Sequence, residues 1–321
     1  MKINMTKKLM ITMMMLTIMM MMSSNNIMYS WMTLEINTIV FMNILTNSKK
    51  STDQPMKYFI IQSLSSSTML MSIMINSIAS IPPSFKTILM MSMLMKLGMM
   101  PFHSWLPTIM QSSNWETCML LMTAQKISPT IMMTQMIDVK SMILPMIFSL
   151  IIAPISATKQ LAMKKILAYS SISNMSWMTY AAKTSKLNFI MFMTIYTTIT
   201  ITLIKSMETK KIMYMNQMKM HNKWKKMNML VNMISMSGMP PTMGFFPKWI
   251  ILQNSIQQSI YISISFIISS IILTFTYMKM INPILASLTM KKKKKKENKS
   301  EKSSLIMNLM GMPMNFILKT N

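Results

Sequence analysis

Apolar residues run along this chain in blocks of about twenty, separated by short clusters of lysine, proline and small polar residues. A bilayer core of about 30 Å takes about 20 apolar residues per helix. Stretches that meet or nearly meet this length fall at 9–24, 27–46, 57–80, 86–107, 115–137, 141–157, 162–181, 187–205, 227–256, 258–282 and 304–320. They are continuously apolar rather than alternating over about ten residues, which excludes transmembrane strands. The pattern predicts an all-α polytopic membrane protein of about eleven transmembrane helices, with residues 1–321 forming a single integral membrane domain. The run after Lys2, Lys7 and Lys8 superficially fits a secretory signal. Met19 to Ser24 offers no small-x-small cleavage site and further spans follow, so it reads as a retained first span.

Composition agrees. Of 321 residues, 51% are hydrophobic and only 12% charged, about half the charged share of a soluble domain. The 54 methionines and only four glycines leave little material for loops or sheet edges. All 33 basic residues are lysine, and with seven acids they give a net charge of +26, which at first invites a nucleic-acid partner. Their placement argues otherwise. Eleven alternating spans put 25 lysines on the face of the N-terminus and 5 on the other, Lys86, Lys140, Lys183, Lys186 and Lys319, with three left inside spans. Loops on the translation side collect lysine, so the charge reports topology and the N-terminus faces the compartment of synthesis. No basic groove with interleaved aromatics is needed, and no nucleic-acid partner is expected.

Two longer soluble pieces fall on the lysine-rich face, around 206–226 and 290–303. The six lysines Lys291 to Lys296 either attract anionic lipid head groups or an acidic partner, or form a solvated loop that repels itself into an extended form. The lone Cys118 excludes a disulfide framework, a CxxC metal knuckle and an iron–sulfur cluster held by this chain alone. Two histidines, His103 and His221, are thin material for a metal site, and no metal is expected.

The chemistry lies in charges placed where charges are expensive. Glu35, Lys96, Lys126 and Lys248 all fall inside expected spans. Unpaired and unhydrated, the four would cost roughly 10–14 kcal/mol on insertion scales. Snorkelling fails for Lys96 and Lys126, because the interface lies about 15 Å away along the helix, and remains open for Lys248. Three of these residues neighbour helix breakers. Lys96 is followed by Gly98 and Pro101, Lys126 by Pro129, and Lys248 is preceded by Gly238, Pro240, Pro241, Gly244 and Pro247. Proline opens the helix and frees carbonyls, and in lipid such openings survive only where protein or water satisfies them. Two broken helices with an ionisable neighbour are expected of an ion pathway, whereas Pro129 alone reads as a packing kink. A buried lysine is charged or neutral according to its surroundings, so Glu35 with a lysine partner would form a switchable pair that needs no cofactor.

Six segments then carry a resemblance. MKLGMMPFHSWLP (95–107) resembles the KLGxxPFHxWxP signature of the chain 2 family of mitochondrial NADH:ubiquinone oxidoreductase, antiporter-like membrane-arm subunits of respiratory complex I. WMTLEIN (31–37), KYFIIQ (57–62), QKISP (125–129), KKILAYSSISNMSWM (164–178) and SGMPPTMGFFPKW (237–249) fall in the family's order. The resemblance implies proton translocation. Glu35 looks like the input glutamate, Lys96 its partner on the first broken helix, Lys126 the central lysine and Lys248 the lysine of the second broken helix. His103 belongs to the signature, with a hydrogen bond at the break as its expected role. NADH, FMN, iron–sulfur clusters and ubiquinone would be handled by other complex I subunits, which are the implied partners. The lysine-rich face would be the matrix side of the mitochondrial inner membrane. The methionine content would follow from an adenine- and thymine-rich genome rather than from copper or haem transport. The chain departs from the family at Thr108, where an acid is common, and at Asn174 and Ser176, which replace a usual His and Gly; a histidine relay is thereby in doubt. Tyr169, Ser170, Ser171 and Ser173 would either hold water or pack helices. Two alternatives stay open: a cation/proton antiporter subunit outside the respiratory chain, and a structural subunit that does not pump.

Overall fold

In the computed structural model, residues 5–46, 53–78, 83–136, 139–218 and 223–286 are described. His221, Lys291 to Lys296, the stretch 290–303 and the expected span 304–320 lie outside them, as do Lys2, Lys49, Lys50, Lys219, Lys299, Lys302 and Lys319. The described chain is helical: α1 (Met5–Ser23), α2 (Ile27–Thr46), α3 (Asp53–Ile78), α4 (Pro83–Leu97), α5 (Trp105–Ser112), α6 (Trp115–Met122), α7 (Ala124–Met136), α8 (Val139–Thr158), α9 (Met163–Thr184), α10 (Lys186–Glu208), α11 (Lys223–Ser237), α12 (Phe245–Gln258) and α13 (Ile260–Ala286). Among the described residues the extended pairing is one isolated bridge, Ala162 to Tyr214.

Among the described residues, five helices are long and apolar enough to cross a membrane by themselves: α1, α3, α8, α10 and α13. Three further expected spans are each made of two shorter helices, α4 with α5, α6 with α7, and α11 with α12. At 1.5 Å per residue the 15 residues of α4 reach only about 22 Å, short of the ~30 Å hydrocarbon core. The 8 residues of α6 and 13 of α7 together reach about 32 Å. The third interruption was not expected at its observed place. Thr123 breaks the ladder between α6 and α7, while Pro129 lies within a continuous α7.

The chain divides into two compact units, Met1–Ser149 and Leu150–Asn321. In the first, α7 packs against α1, α2, α4 and α6, and α3 lies along α4. Both of these helices bury small hydroxyls. Ser65, Ser72 and Ser92 are fully buried and return their hydroxyls to carbonyls three residues back, so little polar surface is left facing the neighbour. In the second unit α9 is central, touching α10, α12 and α13. Its buried positions cover nearly the whole helix from Met163 to Ala181. Phe266 of α13 packs on Trp177 with ring centroids 4.1 Å apart.

Two contacts bear on the alternation of spans. Lys7 at the start of α1 pairs with Glu116 at the start of α6, so the starts of the first and fifth spans share a face. The loops after α8 and α10 are tied by Met163 N–H to the Met213 carbonyl (3.0 Å) and Met215 N–H to the Leu161 carbonyl (3.2 Å). The second loop is therefore docked, with Ile212 and Met218 buried. Gln217 closes its turn by accepting from Met213 N–H at 2.8 Å.

Candidate functional site

The first break runs from Gly98 to Ser104 and the second from Gly238 to Gly244. Each begins with a glycine in the left-handed region, φ +67° at Gly98 and +82° at Gly238. Only a residue without Cβ takes this conformation cheaply, and it lets the chain fold back on the helix end. Gly98 N–H donates to the Met95 carbonyl and Met99 N–H to that of Leu94 (3.0 Å). Gly238 N–H donates to the Ser235 carbonyl and Met239 N–H to that of Ile234 in the same pattern. Both helices resume with proline as third residue, Pro107 in α5 and Pro247 in α12, where its missing N–H would have no helical partner. Pro101 and the pair Pro240 and Pro241 lie inside the breaks, and Pro247 in the first turn after the second. The breaks thus repeat with an offset of 140 residues: Gly98 with Gly238, Pro101 with Pro241, Pro107 with Pro247.

At the first break, Lys96 occupies the last turn of α4 and is 5% exposed. Its ammonium lies 3.8 Å from Glu35 Oε1 of α2, whose side chain is 27% exposed. A helix C-terminus carries partial negative charge, so the ammonium has both the carboxylate and the end of its own helix near it. The Lys96 carbonyl accepts from Gln62 Nε2 at 3.4 Å and that of Met95 from Trp105 Nε1 at 3.1 Å. A cavity with about 20 Å³ of space for water centres adjoins Lys96 and Lys126, with Asn37, Thr38, Tyr58, Gln62 and Gln125 in its wall. This is room for about one water molecule. Lys126, third residue of α7, is 2% exposed. His103 sits in the break with Nδ1 3.3 Å from the Pro101 carbonyl.

At the second break, Lys248 is 6% exposed and donates from Nζ to the Ser237 carbonyl at 3.0 Å, capping the end of α11. It therefore turns inward to the break and does not snorkel. The ammonium also lies 5.7 Å from the centre of the Trp177 ring, within cation–π range. A second cavity with about 20 Å³ for water centres is lined by Asn174, Tyr196, Ser235, Gly244, Pro247 and Lys248. Asn174 Oδ1 is buried and meets no donor among the described residues. Tyr277 donates to Ser170 Oγ at 2.9 Å, which packs α13 on α9.

The sequence reading weighed polar side chains on α9 but passed over Asn37, Tyr58, Gln62 and Gln125, which surround the first cavity. Uncharged polar side chains inside otherwise apolar spans were the available signal.

A fold of paired broken helices with buried lysines defines an antiporter-like membrane subunit, and comparison with known proteins agrees. The NADH:quinone oxidoreductase/Mrp antiporter transmembrane family matches residues 24–276, and the chain belongs to it. Relatives include NADH-ubiquinone oxidoreductase chain 2 of Locusta migratoria, 34% identical over 77% of this chain and 76% of that protein. That of Halichoerus grypus is 32% identical over 78% and 77%. In three dimensions the chain is similar to a chain of respiratory complex I from Thermus thermophilus with bound aureothin, with a TM-score of 0.83 at 17% identity, over 97% of this chain and 79% of that one. It is also similar to one of the Mrp complex from Dietzia sp., with a TM-score of 0.75 at 11% identity, over 84% and 59%.

Proposed function

We propose that this chain is the chain 2 subunit of a mitochondrial NADH:ubiquinone oxidoreductase. On this reading it moves protons across the inner membrane while electrons pass from NADH to ubiquinone in other subunits. Glu35, Lys96 and Lys126 in the first unit and Lys248 in the second are the proton-carrying groups. The observation that carries the reading is Lys96, buried at a helix break with its ammonium 3.8 Å from Glu35 and a cavity beside it that Lys126 also lines. Held together, both members of the pair are charged; parted, the lysine can release a proton to water in the cavity. A buried charge with no such use would be an unrewarded insertion cost.

The rest of the assignment follows from the same reading. NADH, FMN, iron–sulfur clusters and ubiquinone belong to other subunits, since a cluster needs several thiolates and this chain has only Cys118. The chain works as one integral membrane domain with its N-terminus and the loops 206–226 and 290–303 on the matrix side. Its partners are other membrane-arm subunits, with anionic lipid at the lysine-rich loops.

In the assembled complex, Lys96→Met or Glu35→Gln lowers the protons moved per NADH oxidised without preventing assembly. Wild-type stoichiometry in both variants would sink the assignment and favour a structural subunit. The family also spans Mrp antiporters. Absence of the chain from a purified NADH-oxidising complex would favour an antiporter subunit outside the respiratory chain.

A further inference from the structure

The turn that carries Lys126 is held weakly by its own backbone. Upstream, Thr123 interrupts the ladder between α6 and α7. Downstream, Pro129 has no N–H to give the Gln125 carbonyl, so the helical bond that would span Lys126 is missing. The side chain of Gln125 ties this turn to the neighbouring helices. Its Nε2 donates to Asn37 Oδ1 of α2 at 3.1 Å, and Asn37 Nδ2 donates back to Gln125 Oε1 at 3.2 Å. The same Oε1 accepts from Tyr58 OH of α3 at 3.3 Å, and Nε2 also reaches Met14 Sδ of α1 at 3.3 Å. Asn37 is 2% exposed and Tyr58 3%. A reciprocal amide pair with its donors and acceptors engaged fixes distance and orientation between two helices, and in a low-dielectric interior it is costly to disturb. Asn37 lies two residues beyond Glu35 on α2, and Gln125 immediately before Lys126 on α7.

We propose that the Asn37–Gln125 amide pair, latched by Tyr58, is a positioning element that holds Lys126 at the helix interruption in the orientation in which it shares a cavity with Lys96. The amides carry no proton themselves. They set the relation between the helix of Glu35 and the helix of Lys126, so that the short step between the two lysines, with room for about one water, is kept to one geometry. The inference rests on the proton-carrying role given to Lys126 above.

The test is a cycle of variants in the intact membrane-bound complex, reading protons moved per NADH oxidised across a range of pH, with complex assembly measured alongside. Gln125→Leu is expected to lose about as much stoichiometry as Lys126→Gln, to change the pH profile, and to add nothing when combined with Lys126→Gln. The exchange Asn37→Gln with Gln125→Asn keeps a reciprocal amide pair of the same total length and is expected to recover most of the loss. Tyr58→Phe keeps the ring and removes one bond, and is expected to give a smaller change of the same kind, which serves as the readout if Gln125→Leu does not assemble. Wild-type stoichiometry and pH profile in Gln125→Leu, or in Tyr58→Phe where the former does not assemble, overturns the inference. So does a loss in the combined variant equal to the sum of the separate losses. Wild-type stoichiometry in Lys126→Gln alone overturns instead the role of Lys126, so the two failures are distinguishable.

Discussion

The two breaks share a backbone and differ in where they keep their charge. Both open on a left-handed glycine, run seven residues and resume with proline as third helical residue. At the first, the lysine stands before the glycine, on the closing turn of α4, and faces a carboxylate at 3.8 Å. At the second, the lysine stands after the break, on the opening turn of α12, and reaches back 3.0 Å to the last carbonyl of α11. Among the described residues Lys248 has no acidic partner. One break is thus a charge pair that can be made and parted, and the other a single cation seated on backbone and an aromatic face. The repeated backbone is the common device for opening a helix inside a membrane, and the side chains placed on it set the charge at each opening. Freed carbonyls of the first helix are closed by a neutral indole at one break and by an ammonium at the other.

The comparison is broken most severely at its tightest point. A Cβ on Gly244 would lie 1.8 Å from the backbone oxygen of Ser235, which no rotamer change relieves. The matching position of the first break is Ser104, which accommodates its side chain. Gly244→Ser, which makes the second break resemble the first, is therefore expected to cost roughly 4 kcal/mol or more and to leave little chain in assembled membranes. The reverse change, Ser104→Gly, is expected to cost about 1 kcal/mol at most. Quantifying the assembled chain by immunoblot after native electrophoresis checks both. Normal assembly of Gly244→Ser would mean that the two backbones are less alike than their glycines and prolines suggest.

Much of this architecture was legible in the sequence, for reasons particular residues make clear. Apolar length gave the positions of α1, α2, α3, α8, α9, α10 and α13, because a continuous hydrophobic run in a bilayer has few alternatives to helix. Gly98 with Pro101, and Gly238 with Pro240 and Pro241, marked the two breaks because each residue type has a backbone reason to be there. The interruption at Thr123 was not legible. Threonine is no helix breaker in the way glycine or proline is, and Pro129 nearby drew attention to the wrong place. The repeat between the breaks was missed because the matches are sparse, with aromatic and polar residues exchanged between them, and the lysines fall at different positions. The partner of Lys248 was equally hidden, since a backbone carbonyl leaves no mark in the sequence.

The glycines sharpen the contrast at intermediate cost. Alanine at either position forces a left-handed backbone on a residue with Cβ, about 1–2 kcal/mol. At Gly98 the new methyl would meet Trp105 and Leu106 at 3.2 Å, a packing matter. At Gly238 it would meet Lys248 Cδ at 2.9 Å and Nζ at 3.0 Å, the side chain that closes the end of α11. Both variants are expected to shorten the thermal half-life of the complex by similar factors. Gly238→Ala is expected to lower protons per NADH as well, beyond any change in Gly98→Ala. Equal stoichiometries in the two variants would show that the seat of Lys248 tolerates displacement and that its bond to Ser237 is structural.

The smallest effect concerns the neutral donor at the first break. Trp105 Nε1 donates to the Met95 carbonyl at 3.1 Å, and that carbonyl also receives Gly98 N–H at 3.3 Å. Removing the indole donor therefore leaves the acceptor served, and Trp105→Phe keeps an aromatic ring near Tyr58, whose ring centre lies 6.1 Å away. The expected cost is about 1 kcal/mol, a lost hydrogen bond plus slightly looser packing. A melting shift of about 2–4 °C is what that implies for a cooperative unit of 150–250 residues. A much larger shift would mean that Gly98 and Met99 do not hold the end of α4 without the indole, and that the neutral donor is as necessary to its break as the Lys248 ammonium is to the other. A shift within error would place the whole closure in the backbone, and the ammonium at the second break would then be there for its charge rather than for its hydrogen bond.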